Sequence, residues 1–130
     1  MLFHTFSSQD ERRAFGGSCF IEFQFCRMPE ASSIAELVSV DNIEHWRDDS
    51  LYVADENRFY EEYCGIFDSG TYNNLGTGVV DIYGINYYSS ALTEIIIERI
   101  KAEKLEDYEK LLHWLESIKE HNGFYILGIC

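Results

Sequence analysis

Apolar and polar residues alternate most regularly between residues 18 and 27. One face of this segment holds Cys19, Ile21, Phe23 and Phe25, and the other holds Phe20, Glu22, Gln24 and Cys26. A period of two is typical of a β-strand, and polar side chains on the second face suit a sheet that is covered on one side. Such sheets are usually antiparallel. We therefore predict an antiparallel strand here, ended by Pro29.

The segment after residue 54 has a helical period instead. Asp55 is a suitable N-cap for a helix. The apolar positions that follow share one helix face: Phe59, Tyr63, Ile66 and Phe67. This spacing leaves a polar outer face made of Glu56, Tyr60, Glu61 and Glu62.

The C-terminal third predicts two longer helices and a closing strand. The first helix has Ser90 as its N-cap, runs to about Lys104 and turns four side chains inward, Leu92, Ile95, Ile96 and Ile100. The second begins near Glu106 and has one apolar stripe, made of Tyr108, Leu111, Leu112, Leu115 and Ile118. Asn122-Gly123 supplies a left-handed stop. Residues 124–129 are apolar on both faces, as in a buried inner strand.

The N-terminal half predicts shorter elements. Residues 1–17 indicate a short strand followed by a loop. Ser33 and Glu36 have capping-box spacing, which predicts a helix that begins at Ile34. Residues 41–49 either continue that helix or form a second short one, and the sequence leaves both open.

Three central segments complete the prediction. Residues 51–53 fit a brief extended piece or part of a loop, and residues 68–78 fit a loop or hairpin tip. Residues 79–83 predict a strand, and the sequence leaves open whether it continues through Gly84-Ile85. All the elements together predict a single α+β domain over residues 1–130. Its architecture is a small, mainly antiparallel sheet with helices packed against it.

The stretch from residue 41 to residue 68 mixes acidic and aromatic side chains. Nine acidic residues stand there against two basic ones. Aromatic rings lie between the charges: Trp46, Tyr52, Phe59, Tyr60, Tyr63 and Phe67. A solvated surface needs only the acids and a core needs only the rings, so the mixture indicates a surface that contacts a cationic partner. We expect Trp46 and Tyr63 to face the core.

The net charge of the chain is −13. The electrostatic field of this charge repels DNA, RNA and anionic lipid, and it speeds the encounter with cationic proteins. Nucleic-acid binding is therefore the function that the composition argues against most directly, because phosphate contacts need clustered Lys and Arg. Solubility alone is the alternative explanation of the charge.

The expected contact surface is the outer face of the helix after Asp55, with the two acidic loops beside it. Its residues are Asp48, Asp49, Tyr52, Glu56, Tyr60, Glu61, Glu62 and Asp68. Tyrosine suits such a surface because it offers a large area, few rotamers and a polar tip. A second group of rings could border the same surface: Tyr72, Tyr83, Tyr87 and Tyr88.

Motifs of catalysis and cofactor binding are absent from the sequence. Gly76-Thr-Gly78 precedes a predicted strand rather than a helix, which is the wrong order for a phosphate-binding loop. Asp48-Asp49 lacks the spaced oxygen ligands and the glycine of a calcium loop. His45 and Cys64 are the one candidate nucleophile pair, and nothing in the flanking sequence supports it. We expect no enzyme activity, no metal and no cofactor.

The amino terminus has no cationic lead and no continuous apolar run, so we expect no signal peptide. No apolar stretch approaches the length of a membrane span. We therefore expect a cytoplasmic protein that does not contact the membrane. The four cysteines are scattered, which in a reducing compartment favours small core residues over disulfides or metal ligands.

Residues 80–88, VDIYGINYY, and residues 122–129, NGFYILGI, are similar to stretches of bacterial immunity proteins. The chain resembles in particular those that protect cells from contact-dependent growth-inhibition toxins and related polymorphic toxins. The resemblance covers the C-terminal third. It implies a tight 1:1 complex between this chain, as a monomer, and one cognate toxin, often a basic nuclease whose active site or substrate groove is covered. No residue role is carried over, since such proteins share no motif.

Two functions of other classes remain open from the sequence. The first is a small hydrolase or transferase that uses scattered carboxylates or the thiol of Cys64. The second is an adaptor or regulatory subunit that presents the same acidic surface to a partner other than a toxin.

Overall fold

A computed structural model describes residues 2–16, 20–53, 55–117 and 121–129. Its strands are β1 (Phe3–His4), β2 (Phe20–Phe25), β3 (Leu51–Val53), β4 (Gly70–Tyr72), β5 (Thr77–Gly78), β6 (Ile85–Tyr88) and β7 (Phe124–Ile129). Its helices are α1 (Gln9–Phe15), α2 (Ile34–Leu37), α3 (Glu56–Tyr63), α4 (Ser90–Glu103) and α5 (Tyr108–Glu116), with a 3-10 turn at Val40–Asn42. Cys19, Ile118 and Cys130 lie outside the described residues.

The strands form one antiparallel sheet in the order β1-β3-β2-β7-β6-β4-β5. The centre is the β2–β7 pair, whose register runs from Phe20 opposite Ile129 to Phe25 opposite Phe124. The outermost strands, β1 and β5, contribute only two residues each. The predicted α+β class, with one domain and an antiparallel sheet, is confirmed, and so is the buried inner position of the last strand.

One side of the sheet, the three-helix face, carries the main core. Side chains of β2 and β7 on this side, including Phe23, Phe25 and Ile126, pack with buried residues of α3, α4 and α5. Phe25 stacks on Trp114 of α5, with 4.0 Å between ring centroids. Phe59 and Tyr63 of α3 are fully buried here, as the spacing predicted.

The other side of the sheet, the loop face, is covered as well. Leu37 and Val38 pack there against Tyr125 and Leu127, with half-buried Ile43 beside them. Every residue of β2 is therefore buried. The prediction of a sheet covered on one side was wrong, because the polar residues of the second face, such as Glu22, are satisfied by hydrogen bonds rather than by water.

Three local predictions were also wrong. Residues 9–15 are a helix capped by Ser8, where a loop was expected. The sixth strand lies at Ile85–Tyr88, not at residues 79–83, since Asp81–Gly84 is a turn that brings β6 beside both β4 and β7. The region 41–49 is a 3-10 turn followed by a loop, rather than a helix.

The helices of the C-terminal third occur close to their predicted bounds. Ser89 rather than Ser90 caps α4, and Lys104, which follows the last helical residue, Glu103, has a left-handed conformation. Ile96 and Ile100 are buried as predicted, but Ile95 is 50% exposed. Gly123 has the expected positive φ, 78°, and its carbonyl accepts a hydrogen bond from Cys26 N at 3.0 Å.

We expect the free energy of unfolding to depend on pH through five buried tyrosines. Burial raises the pKa of each hydroxyl above the ordinary tyrosine value, and it raises the pKa of Tyr87 to about 12. The other four tyrosines with a raised pKa are Tyr52, Tyr63, Tyr88 and Tyr125. Because the folded pKa is raised, the unfolded chain loses these protons first, above about pH 10. We expect the free energy of unfolding to be insensitive to these groups below that pH and to fall above it.

Urea unfolding from pH 8 to pH 12, roughly the range that brackets the unperturbed value, measures this effect. Tyr87→Phe should make the fall shallower, because it removes one of the protons that the folded state retains. A free energy of unfolding that stays constant across the range would contradict the prediction.

Candidate functional site

Helix α3 carries the central part of the acidic surface. Asp55 caps it, with Oδ1 accepting a hydrogen bond from Arg58 N at 3.0 Å. Tyr60 is 40% exposed on its outer side. Glu61 and Glu62 are exposed and Glu56 is half-buried. The structure therefore brings together one tyrosine and three carboxylates on one short helix.

The buried side of α3 fixes the helix to the rest of the molecule. Tyr63 donates a hydrogen bond from its hydroxyl to the carbonyl of Glu106 at 2.6 Å, and Arg58 pairs with the Glu106 carboxylate. The rings of Phe3, Phe59 and Tyr63 contact one another, with 5.3 Å between the centroids of Phe3 and Tyr63. A ligand would meet these carboxylates on a rigid support, which lowers the entropic cost of binding.

Asp68 lies beyond the end of α3 and is already paired. Arg99 Nη1 is 2.9 Å from Asp68 Oδ1 and also donates to the carbonyl of Ile66 at 3.3 Å. Both charged side chains remain about two-fifths exposed, at 43% for Asp68 and 41% for Arg99. Asp68 therefore presents a partly neutralised carboxylate, which reduces the attraction it can offer to a cation.

Asp48 and Asp49 lie at the opposite end of β3 from Asp55. Asp49 pairs with Arg27, just beyond the end of β2, and its carbonyl accepts a hydrogen bond from Trp114 Nε1 at 2.8 Å. The strand between them carries Tyr52, which is 0% exposed. The prediction that Tyr52 contacts a partner was wrong, because a fully buried side chain is not accessible to one.

The loop that carries Asp48 is built around Glu22, whose side chain is 0% exposed on the loop face. The backbone N–H groups of Trp46 and Arg47 donate to its carboxylate at 2.9 and 3.1 Å. Trp46 has a positive φ of 63°, which turns the two successive N–H groups toward the same anion. Trp46 itself is half-buried against Phe6, Phe20 and Tyr52, close to the expected inward position.

Side chains complete the environment of the buried carboxylate. Ser50 and Tyr52 donate from their hydroxyls to Glu22 at 2.6 and 3.3 Å, and the Gln24 amide donates at 3.3 Å. Gln24 also donates to the carbonyl of Glu44 at 2.6 Å. Glu22 therefore holds residues 44–50 against the sheet, and the position of the acidic loop depends on it.

The proposed nucleophile pair is not assembled. Cys64 is half-buried at the end of α3, on the three-helix face. His45 is exposed in the segment that crosses the loop face, next to the Glu44 carbonyl held by Gln24. The sheet separates the two side chains, which removes the basis for a Cys–His mechanism that uses them. Cys26 and Cys64 are both free thiols.

None of the described helices is long and apolar enough to cross a membrane. Within the described residues, no group of three or more His, Cys, Asp and Glu side chains is placed to hold a metal ion.

Comparisons with models of protein families, with curated proteins and with solved structures find no significant match in any of the three.

Proposed function

We propose that the protein is an immunity protein, which neutralises a cationic toxin by covering the active site or substrate groove with the outer face of α3. The observation that supports the proposal is the arrangement on α3. An exposed Tyr60 stands among Glu56, Glu61 and Glu62 on a helix whose other side is fully buried. A net charge of −13 adds long-range attraction for such a partner.

The chemistry of a nuclease explains why this surface would inhibit one. A nuclease groove is cationic because it binds phosphates, and carboxylates can take the place of phosphates on its Arg and Lys side chains. Among the described residues, Glu61 and Glu62 make no ion pair. They can therefore offer full charges, and the Tyr60 ring can fill a pocket that holds a base in the substrate complex.

The proposed contact surface is smaller than the one expected from the sequence. Glu56, Tyr60, Glu61 and Glu62 form its centre. Asp68 lies at one side and contributes less, because Arg99 already pairs with it. Asp48 and Asp49 lie at the far end of β3, where they can contact only a partner that extends past α3. Tyr52 has no part in the surface.

Inhibition is the first test. Immunity genes stand directly downstream of the toxin gene, so we expect the preceding gene to encode a large toxin with a basic C-terminal domain. That domain, purified, should lose its nuclease activity when this protein is added in equimolar amount. Undiminished activity at saturating concentration would contradict the proposal.

Charge reversal on α3 tests the surface. We expect Glu61→Lys with Glu62→Lys to weaken binding to that toxin domain by about 10- to 100-fold, mainly through slower association. The fold should be unaffected, because both side chains are exposed. Calorimetry at two salt concentrations measures the change, since screening reduces the difference if it is electrostatic.

A matched control keeps the same change in net charge. Glu30→Lys with Glu94→Lys alters two exposed carboxylates that do not belong to α3 and should bind close to wild type. Equal weakening by both double variants would mean that overall charge, and not α3, determines affinity. Unchanged affinity of the α3 variant would place the interface elsewhere.

A further inference from the structure

A groove of about 420 Å³ lies at one end of the sheet. Val40 and Ile43, in the segment that leads onto the loop face, and Ile85, at the start of β6, form its apolar wall. The polar lining side chains are His45, Asn73, Asp81 and Tyr83. None of its described lining residues belongs to α3, so the groove is a separate site from the proposed toxin-binding surface.

The turn that carries Asp81 and Tyr83 is held firmly to the sheet. Asn86 is fully buried. Its side chain accepts a hydrogen bond from Asp81 N at 2.8 Å and donates to the carbonyls of Asp81 and Ile126 at 2.8 and 2.9 Å. Gly128 N donates to the carbonyl of Gly84 at 2.9 Å. The groove wall is therefore pre-formed.

Two groups on this fixed turn remain available to a ligand. The Tyr83 side chain is 67% exposed although its backbone is held. Asp81 Oδ1 accepts a hydrogen bond from Tyr83 N at 3.0 Å, which orients the carboxylate. Its other oxygen, Oδ2, makes no hydrogen bond to the described residues. An aromatic ring and a carboxylate oxygen thus line the same groove, and Val40, 66% exposed, lines it as well.

We propose that the groove binds an arginine side chain of a protein or peptide ligand. A guanidinium group is planar, stacks on aromatic rings and donates to carboxylates through a fork of N–H groups. Asp81 Oδ2 would accept from it, and the Tyr83 ring would lie against its plane. The methylene stem would pack on Val40, Ile43 and Ile85.

Other side chains fit the groove less well. Lysine ends in a compact ammonium group that cannot stack as a plane. An acidic side chain would be opposed by Asp81 and by the overall charge of −13. Asn73 offers an amide oxygen as a further acceptor for the guanidinium. The inference does not depend on the role proposed for α3, and either can fail alone.

The test uses N-acetyl-arginine amide as the probe and the full chain as the receptor. In nitrogen–proton NMR spectra, we expect the probe to shift amides of residues 40–45, 73 and 81–85, with a dissociation constant on the order of 1 mM. Asp81→Asn should weaken binding at least about tenfold. Its Oδ1 can still accept from Tyr83 N, so the turn is preserved.

Matched variants distinguish the contribution of the Tyr83 ring to binding from effects on the fold or on the net charge. Tyr83→Leu should weaken binding by about threefold, while Tyr83→Phe should bind like wild type, because only the aromatic face is required. Glu30→Gln makes the same charge change as Asp81→Asn at an exposed site outside the groove and should have no effect. Equal binding of N-acetyl-lysine amide, wild-type affinity of Asp81→Asn, or shifts confined to α3 would each overturn the proposal.

Discussion

Replacing Glu22 with alanine is expected to lower the free energy of unfolding by about 3–5 kcal/mol. The substitution removes the acceptor of five donors on the loop face. The backbone N–H groups of Trp46 and Arg47 would then be buried without partners, and each such group costs about 1–3 kcal/mol. Urea unfolding measures the loss, and hydrogen exchange at the two amides locates it.

Two further variants make the result specific to the buried carboxylate. Glu22→Gln keeps the shape but replaces one acceptor oxygen with an NH2 group that faces donors, so it should be destabilised, but less than Glu22→Ala. Glu62→Ala removes an exposed carboxylate from α3 and should change stability by no more than about 0.5 kcal/mol. A loss for Glu22→Ala no greater than that of Glu62→Ala would show that the loop is held by other contacts.

Replacing Gly128 with alanine is expected to cost about 3 kcal/mol, because backbone atoms fill the space where a methyl group would go. A Cβ at Gly128 would lie 2.7 Å from both Ile82 C and Tyr83 Cα, and closer still to the Ile82 carbonyl oxygen. Neither backbone atom can give way without moving the turn that Asn86 holds. Thermal or urea unfolding measures the cost.

Gly65→Ala is the matched control, since a Cβ there meets nothing within 4 Å. Its stability should stay within about 0.5 kcal/mol of wild type. The Gly128 variant should also lose its binding of N-acetyl-arginine amide, because the displaced turn carries Asp81 and Tyr83. Full stability of the Gly128 variant would show that the turn accommodates the methyl group.

The elements that the sequence predicted well are those in which one period extends over several turns or residues. Phe59 and Tyr63 are one turn apart on α3, and the whole of β7 is apolar, so burial alone selects their structure. The outer face of α3 followed from the same period. The centre of the candidate site could therefore be predicted without coordinates.

The parts that the sequence did not predict depend on contacts between distant residues. Glu22 looks like a solvent-facing strand residue, and only the loop from residue 44 to residue 50 makes its burial favourable. The sequence predicts an exposed Tyr52 for the same reason, since no local pattern shows what covers β3. The local signal for the burial of Glu22 is its position between Ile21 and Phe23 in a strand rich in aromatic residues. The same pattern also fits an exposed glutamate.

The turn at Asp81–Gly84 shows a second limit of local patterns. Val79 to Tyr83 has strand-forming residues, yet the ladder with β7 is made by Ile85–Tyr88. The difference lies in Asn86, whose buried amide links the turn to Ile126, forty positions away in sequence. No window of neighbouring residues contains both ends of that hydrogen bond, so the groove could not be predicted.

The two-residue length of the outermost strands has a consequence for the behaviour of the protein at high concentration. A long exposed strand offers a row of unpaired backbone groups onto which another chain can add, and this is a common origin of aggregation. β1 and β5 each expose only a short row of such groups. The sheet therefore gives little template for strand addition, and we expect concentrated solutions of the protein not to aggregate through the edges of the sheet.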